Sequence, residues 1–196
     1  MSLTLASTSS ARRAVLAGAG VAFEAVSPGV DEEAAKAHLL AAGADPRAVA
    51  QALAEEKALA VSRLRPGLVI GADQTLELDG ALYDKVASLA AAGERLRELS
   101  GKTHRLHAAL AVARDGAVVW RETQSPNLTM RPLSDAFIEA YLAQEGEAAL
   151  WSVGCYRLEG QGVQLFERIE GDYFAILGLP LMGLLHLLRR EGVLST

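Results

Sequence analysis

The chain has little of several residue types that often indicate a function. It contains one cysteine, so no disulfide can form within it, which is typical of a reducing compartment. Four histidines are present, and none has the spacing of a metal-ligand pair. Aromatic residues make up 5% of the chain, and no apolar run reaches the length of about 20 residues that spans a bilayer. These shortages exclude a disulfide scaffold, a histidine metal site and a membrane-spanning protein.

The start of the chain and its charge narrow the class further. Residues 1–5 lack the basic and apolar segments of a secretory signal, so we expect a cytoplasmic protein. The formal net charge of −5 argues against nucleic-acid binding but is compatible with a local cationic pocket. With 196 residues, 51% of them hydrophobic, the chain is predicted to form one globular domain over residues 1–196.

Apolar runs alternate with helical patterns along the chain. The predicted strands are Leu3–Ala6, Val21–Ser27, Leu68–Ala72, Arg105–Arg114, Val118–Met130 and Val163–Ile169. The predicted helices begin near Ala11, Asp31, Pro46, Leu89, Asp135 and Pro180. Some of the strands are adjacent in the sequence and others are separated by helices. The pattern therefore predicts an α/β fold with a mixed central sheet and flanking helices.

One acidic residue follows the most apolar strand. Asp73 comes directly after Leu68–Ala72, where a buried strand is expected to reach the sheet edge on which α/β proteins bind ligands. This position makes Asp73 the leading candidate for an acid that acts beside a bound polyphosphate.

A turn rich in hydroxyl groups precedes the first helix. Ser7–Ser10 and the following helix N-terminus would present backbone N–H groups to an anion, although the glycines of a Walker loop are absent. Arg12 shares a helical face with Val15 and Leu16, so it points toward the interior side. The alternative is a capped surface helix with solvated arginines.

Lys57 interrupts an apolar stripe on the predicted helix that starts at Pro46. Val49 and Leu53 precede it on the stripe, and Ala60 follows. An ammonium group there either meets an anion or extends its tip to water, and the sequence favours neither outcome. Because Met would complete the stripe, Lys57→Met is expected to keep or raise thermal stability.

Further charges are candidates for metal and phosphate binding. Glu32, in an acidic run at the start of a helix, could share a divalent cation with Asp73 and phosphate oxygens, since Mg²⁺ is commonly held by one or two carboxylates. Favourable charge at a helix N-terminus is the simpler explanation for the run. Lys85 follows the Asp79-Gly80 turn and is predicted to return beside Asp73; a solvated lysine on an edge strand is its alternative.

Several short segments are spread over nearly the whole chain, and some of them contain these candidate residues. The segments are Leu5–Leu16, Val30–Glu32, Leu53–Ala58, Ile70–Gln74, Asp84-Lys85, Leu99–His104, Gly171–Tyr173 and Gly178–Leu181. Together they resemble the Maf family of nucleoside triphosphate pyrophosphatases. The resemblance implies a mixed-sheet fold shared with inosine-triphosphate pyrophosphatases, and hydrolysis of nucleotides between the α and β phosphates.

The resemblance also implies roles for individual residues. Asp73 matches the family's general base and, with Glu32, the ligands of a divalent cation, Mg²⁺ or Mn²⁺. The positions that match its phosphate-handling residues are Ser7, Arg12, Lys57 and Lys85.

Three positions differ among branches of the family, and here they are Ala11, Gln74 and Glu159. Gln74 and Glu159 match the branch that hydrolyses 7-methyl-GTP, whereas Ala11 stands where that branch has Trp. Hydrolysis of dTTP or UTP is the alternative within the family, and a nucleotide-sensing regulator of septum formation is an alternative outside enzymes. The resemblance leaves a homodimer open.

Overall fold

The computed structural model describes residues 2–195. Its strands are β1 (Leu3–Ala6), β2 (Glu24–Val26), β3 (Leu68–Leu78), β4 (Ala81–Tyr83), β5 (Thr103–Arg114), β6 (Ala117–Gln124), β7 (Asn127–Met130) and β8 (Phe166–Glu170). Its helices are α1 (Ser10–Gly18), α2 (Glu32–Ala41), α3 (Pro46–Ser62), α4 (Leu89–Leu99), α5 (Asp135–Glu145), α6 (Tyr173–Ile176) and α7 (Leu181–Arg190). The strands form the mixed sheet that the sequence predicts, so the α/β fold class is confirmed. No helix within residues 2–195 is long and apolar enough to cross a membrane.

The chain divides into two compact units. The first draws on the segments up to Gln74, His107–Gln124 and the segment from Asp172 onward. In it, β1 pairs in parallel with both β2 and β3, and β5 pairs antiparallel with β6. Leucines of α7 pack with those of β1 and β3 in its main apolar core.

Small residues allow α3 to lie directly on the sheet of the first unit. The helix begins at the N-cap Asp45, and its alanines form a buried cluster with alanines of β5. A Cβ added at Gly71 of β3 would lie 2.1 Å from the carbonyl oxygen of Ala54 and 2.5 Å from the amide nitrogen of Ala58. Glycine is therefore required at residue 71, and this close approach places the next inward residue of α3, Lys57, beside β3.

The second unit comprises Thr75–Leu106 and Ser125–Gly171. In it, β4 pairs antiparallel with the end of β3, and β7 pairs antiparallel with the start of β5 and with β8. The side chains of Ser88 and Ser134 cap α4 and α5, as the sequence predicts.

Several predicted boundaries are wrong, each for a local reason. The strand from Leu68 continues to Leu78, because most of its residues after Ala72 remain buried and its end pairs with β4, and Asp73 therefore lies inside a strand. The single strand predicted over Val118–Met130 is two strands, since Pro126 has no N–H to continue the ladder. Further differences are the shorter β2, a 3₁₀ turn at Gln161–Leu165 before β8, the unpredicted helix α6, and the position of Lys85 two residues beyond β4.

Candidate active site

The turn after β1 is organised by its own hydroxyl groups. Ser7 is buried, and its Oγ accepts a hydrogen bond from Ser9 N at 3.2 Å. Ser9 is the N-cap of α1, where its Oγ accepts from Arg12 N at 3.4 Å. The hydroxyl-rich turn thus begins the helix as predicted, and it brings Arg12 into the first turn of α1.

Lys57 does not extend to water but meets two carboxylates. Its Nζ donates to Asp73 Oδ1 at 2.7 Å and lies 2.8 Å from Glu32 Oε2. Lys57 is 4% exposed and Asp73 is 7% exposed, whereas the side chain of Glu32 is 48% exposed. The alternative of a solvated lysine is therefore excluded. The hydrogen bond from Lys57 orients the carboxylate of Asp73 through one of its two oxygens.

Parallel pairing explains why Asp73 faces a site although it lies within a strand. β1 ends at Ala6, which pairs with Gly71 of β3. The chain leaves β1 there and enters the turn at Ser7, so β3 continues past the carboxyl end of its neighbour. Asp73 therefore lies just beyond the end of a parallel strand, the place where α/β sheets bind ligands.

Arg12 completes a group of four charged residues, Arg12, Glu32, Lys57 and Asp73, which we term the charged cluster. Burial lowers the pKa of Arg12 below its ordinary value, and the negative charges of Asp73 and Glu32 counteract part of that effect. Its Nε donates to the carbonyl oxygen of Gly178 at 2.9 Å. The two cations and two carboxylates cancel in formal charge, so the cluster by itself is close to neutral.

Gln74 follows Asp73 on β3 and has its donors engaged. Its Nε2 lies 3.0 Å from the carbonyl oxygens of both Ala175 and Ile176. The residues 175–178 were not singled out as site residues from the sequence. The only signal for them was the resemblance at Gly178–Leu181.

The donor set fits a divalent cation that is completed by its substrate. Across residues 2–195, no three His, Cys, Asp or Glu side chains form a group that could hold a metal alone. Glu32 and Asp73 nevertheless lie close together, since both contact Lys57 Nζ, and Glu32 is accessible. Mg²⁺ is usually bound by one or two carboxylates with phosphate oxygens and water, so these two residues would be sufficient ligands.

Three predicted site residues, Ala11, Lys85 and Glu159, are not members of the charged cluster. Ala11 is in the first turn of α1 and is partly buried. Lys85 and Glu159 are exposed residues of the second unit. In that unit Arg95 donates to the carbonyl oxygens of Asp84, at 2.9 Å, and Val153, at 2.8 Å, so the backbone next to Lys85 is anchored.

The fold and the charged cluster define a class: an α/β protein with an oriented carboxylate and cationic donors beside a helix N-terminus. Residues 2–191 match the family described as "Maf-like protein", and this chain belongs to the Maf family.

Curated relatives match over nearly their full length. A Caulobacter vibrioides protein named "Nucleoside triphosphate pyrophosphatase" is 63% identical over 193 residues, which are 98% of this chain and 97% of that protein. A Hyphomonas neptunium protein of the same name is 54% identical, covering 100% of this chain and 99% of its own length. A Rhizobium meliloti protein named "7-methyl-GTP pyrophosphatase" is 53% identical, covering 98% of each chain.

Proposed function

We propose that this protein hydrolyses nucleoside triphosphates to a nucleoside monophosphate and pyrophosphate. The observation that carries the proposal is the buried contact of Lys57 with Asp73, which orients a carboxylate within the charged cluster. The relatives' names support the same reaction. A protein that only sensed nucleotides would not require a general base, so an enzyme explains Asp73 better than a regulator does.

Asp73 would act as the general base. Because Lys57 occupies Oδ1, the second carboxylate oxygen is the one that would take a proton from water. The water oxygen then forms a bond to the α-phosphorus, the bond to the bridging α–β oxygen breaks, and pyrophosphate leaves. Arg12, Lys57 and Lys85 would offset the charge that builds on the phosphates, with Ser7 as a further phosphate-binding residue.

The charge balance of the cluster supports a metal requirement. A triphosphate carries about four negative charges, and a cluster whose own charges cancel attracts it weakly. A divalent cation, Mg²⁺ or Mn²⁺, bound by Glu32, Asp73 and phosphate oxygens would supply the missing positive charge and polarise the phosphate. We therefore propose that activity depends on a divalent cation.

The proposal also includes a preferred nucleotide base. Glu159 could accept hydrogen bonds from two N–H donors of a guanine edge, whereas uracil and thymine each offer one. Together with the match of residue 74 to the same branch, this supports a purine, 7-methylated as in the name of the Rhizobium meliloti relative. Ala11 provides no aromatic wall for a cationic methylated base. Hydrolysis of dTTP or UTP is the competing choice.

Two measurements test the reaction. Hydrolysis in ¹⁸O-water is expected to place the label in the nucleoside monophosphate, since attack is on the α-phosphorus. Release of orthophosphate with a nucleoside diphosphate would contradict the proposal. The same assay over ordinary nucleoside triphosphates and 7-methyl-GTP, with and without Mg²⁺ or Mn²⁺, gives the base preference and the metal requirement.

Glu159→Gln tests the basis of selectivity. The substitution is expected to lower kcat/KM for 7-methyl-GTP about tenfold relative to UTP, because one of the two N–H donors of the purine would face an NH2 group instead of an acceptor. Glu147→Gln, at another exposed glutamate of the second unit, makes the same charge change and is the matched control. An unchanged ratio between the two nucleotides would remove Glu159 from base recognition.

A further inference from the structure

The orientation of the Gln74 side chain is determined by its neighbours. Its amide group has two N–H donors, and Nε2 faces two carbonyl oxygens, those of Ala175 and Ile176, at 3.0 Å each. The flipped amide would turn Oε1 toward the same two oxygens, which are acceptors only. Both donors of Gln74 are thus directed to the backbone, and neither is left for a nucleotide base.

The segment that receives these bonds also holds Arg12. α6 ends at Ile176, and Gly178 then turns back with φ +87° and donates from its N–H to the carbonyl oxygen of Ala175 at 2.9 Å. The carbonyl oxygen of Gly178 accepts from Arg12 Nε at 2.9 Å. A Cβ at residue 178 would lie 3.4 Å from that Nε. A glycine carbonyl in this turn is therefore in close contact with the guanidinium group.

The guanidinium group of Arg12 is bonded to the protein at its Nε, while its two Nη atoms are available for a ligand. A guanidinium group is planar and has donors on Nε and on both Nη atoms. Nε is engaged by Gly178, and over the part of the chain that the structure describes neither Nη atom has a hydrogen-bond partner. The plane of the group is consequently set by residue 178, while its two Nη atoms can meet an anion.

We propose that Gln74 is a positioning residue for Arg12: by holding the carbonyls of Ala175 and Ile176 it fixes the turn whose Gly178 oxygen orients the guanidinium group toward phosphate. The proposal gives residue 74 a role beyond base recognition. Only Oε1 of its amide would remain available to contact a base. The inference rests on the proposed function in taking the anion to be the phosphate chain of a nucleotide.

The consequence is a loss that does not depend on the base. Gln74→Met keeps the length of the side chain but has no donor. It is expected to lower kcat/KM by about tenfold for every nucleoside triphosphate that the enzyme hydrolyses, since small misplacement of a phosphate-binding group has effects of this size or larger. A residue that recognised the base would instead change the ratio between nucleotides.

Inorganic triphosphate provides a probe that has no base and needs no turnover. Its dissociation constant, measured by calorimetry with Mg²⁺ present, is expected to rise about tenfold in Gln74→Met. In an Arg12→Ala background the same substitution is expected to change it less than about twofold, because the group it positions is gone. Gly178→Ala, which changes the turn at the residue that bonds to Arg12, should reproduce the loss of triphosphate affinity.

Gln51→Met is the matched control. Gln51 is a partly buried glutamine of α3 that donates to Glu55 and accepts from Thr123, so its replacement reports the general effect of losing side-chain hydrogen bonds. Its affinity for inorganic triphosphate is expected to equal that of the wild type, whatever its melting temperature.

Three results would overturn the inference: a loss restricted to some bases, unchanged triphosphate affinity in Gln74→Met, or an undiminished effect of Gln74→Met in the Arg12→Ala background. Failure of the proposed function is a separate result. In that case the wild type would release no pyrophosphate from any nucleotide, while the coupling of Gln74 to Arg12 would still appear in triphosphate binding.

Discussion

Each unit contains a buried pair of polar side chains, which is charged in the first unit and neutral in the second. In the first, Lys57 and Asp73 are in contact and almost fully buried. In the second, His104 Nε2 and the hydroxyl of Tyr156 are 2.7 Å apart, and the two rings pack with Phe166. Burial lowers the pKa of His104 to about 4 and raises that of Tyr156 well above its ordinary value, so both are uncharged at neutral pH.

The difference between a charged pair and a neutral pair indicates which of the two belongs to a functional site. A neutral polar pair satisfies a hydrogen bond at small cost, and it is a common solution inside a protein. A buried ion pair is expensive to desolvate and seldom gives more stability than apolar residues of similar size. The first unit therefore retains its charges for a reason other than stability, and the charged cluster supplies that reason.

The largest effect is expected from removing the carboxylate that the charged cluster orients. Asp73→Asn preserves shape but cannot accept a proton from water, so kcat should fall about 10²–10⁴-fold. Pyrophosphate release measures the loss, and triphosphate binding should survive. Asp115→Asn, in the exposed β5–β6 turn, is the matched control. Near-normal release from Asp73→Asn would exclude Asp73 as the base.

A smaller effect, on stability, is expected from removing the ammonium group. The sequence suggests that Lys57→Met keeps or raises stability, but the contact with Asp73 changes this expectation. Met would leave a buried carboxylate without its partner, which typically lowers the free energy of unfolding by about 3–5 kcal/mol. Urea unfolding measures this change.

The double variant Lys57→Met, Asp73→Asn removes both charges and completes the comparison with the neutral pair. It should recover most of the lost stability while remaining inactive. If the two single losses simply add, the residues are not coupled and the contact does not explain why Lys57 is buried.

The smallest effect is expected at the neutral pair, and it depends on pH. The pKa of folded His104, about 4, lies below the ordinary 6.5, so the unfolded state takes up the proton first as the pH falls. The stability contributed by the neutral ring is thus complete above pH 6.5 and is lost toward pH 4. Between pH 7.5 and 5 the loss is about 2 kcal/mol.

His104→Gln tests this pH dependence because it keeps a polar partner for Tyr156 without titrating. Relative to the wild type, the variant should gain stability on going from pH 7.5 to 5 in urea unfolding, with unchanged kcat/KM. His38→Gln, at an exposed histidine of α2, is the control. Equal pH dependence in the wild type and His104→Gln would contradict a buried neutral ring.

The sequence predicted features that depend on neighbouring residues. The N-cap serines, Asp45-Pro46 at the start of α3 and the mixed sheet all follow from local signals, and all are present. The end of β3 was predicted too early, because the run of apolar residues ends at Ala72 although most residues from there to Leu78 are buried. The roles of individual site residues remain predictions that the experiments above can test.

Residue types and their spacing were sufficient to single out Arg12, Glu32, Lys57 and Asp73, because charges at strand ends, helix starts and apolar faces stand out from their surroundings. Tertiary structure alone decided what these charges meet. Lys57 contacts Asp73, 16 residues along the chain, and Gln74 bonds to carbonyls about 100 residues away. Backbone carbonyls occur at every residue and carry no signal in a sequence, so only the packing of α6 and its turn could show that Gln74 is bound to backbone.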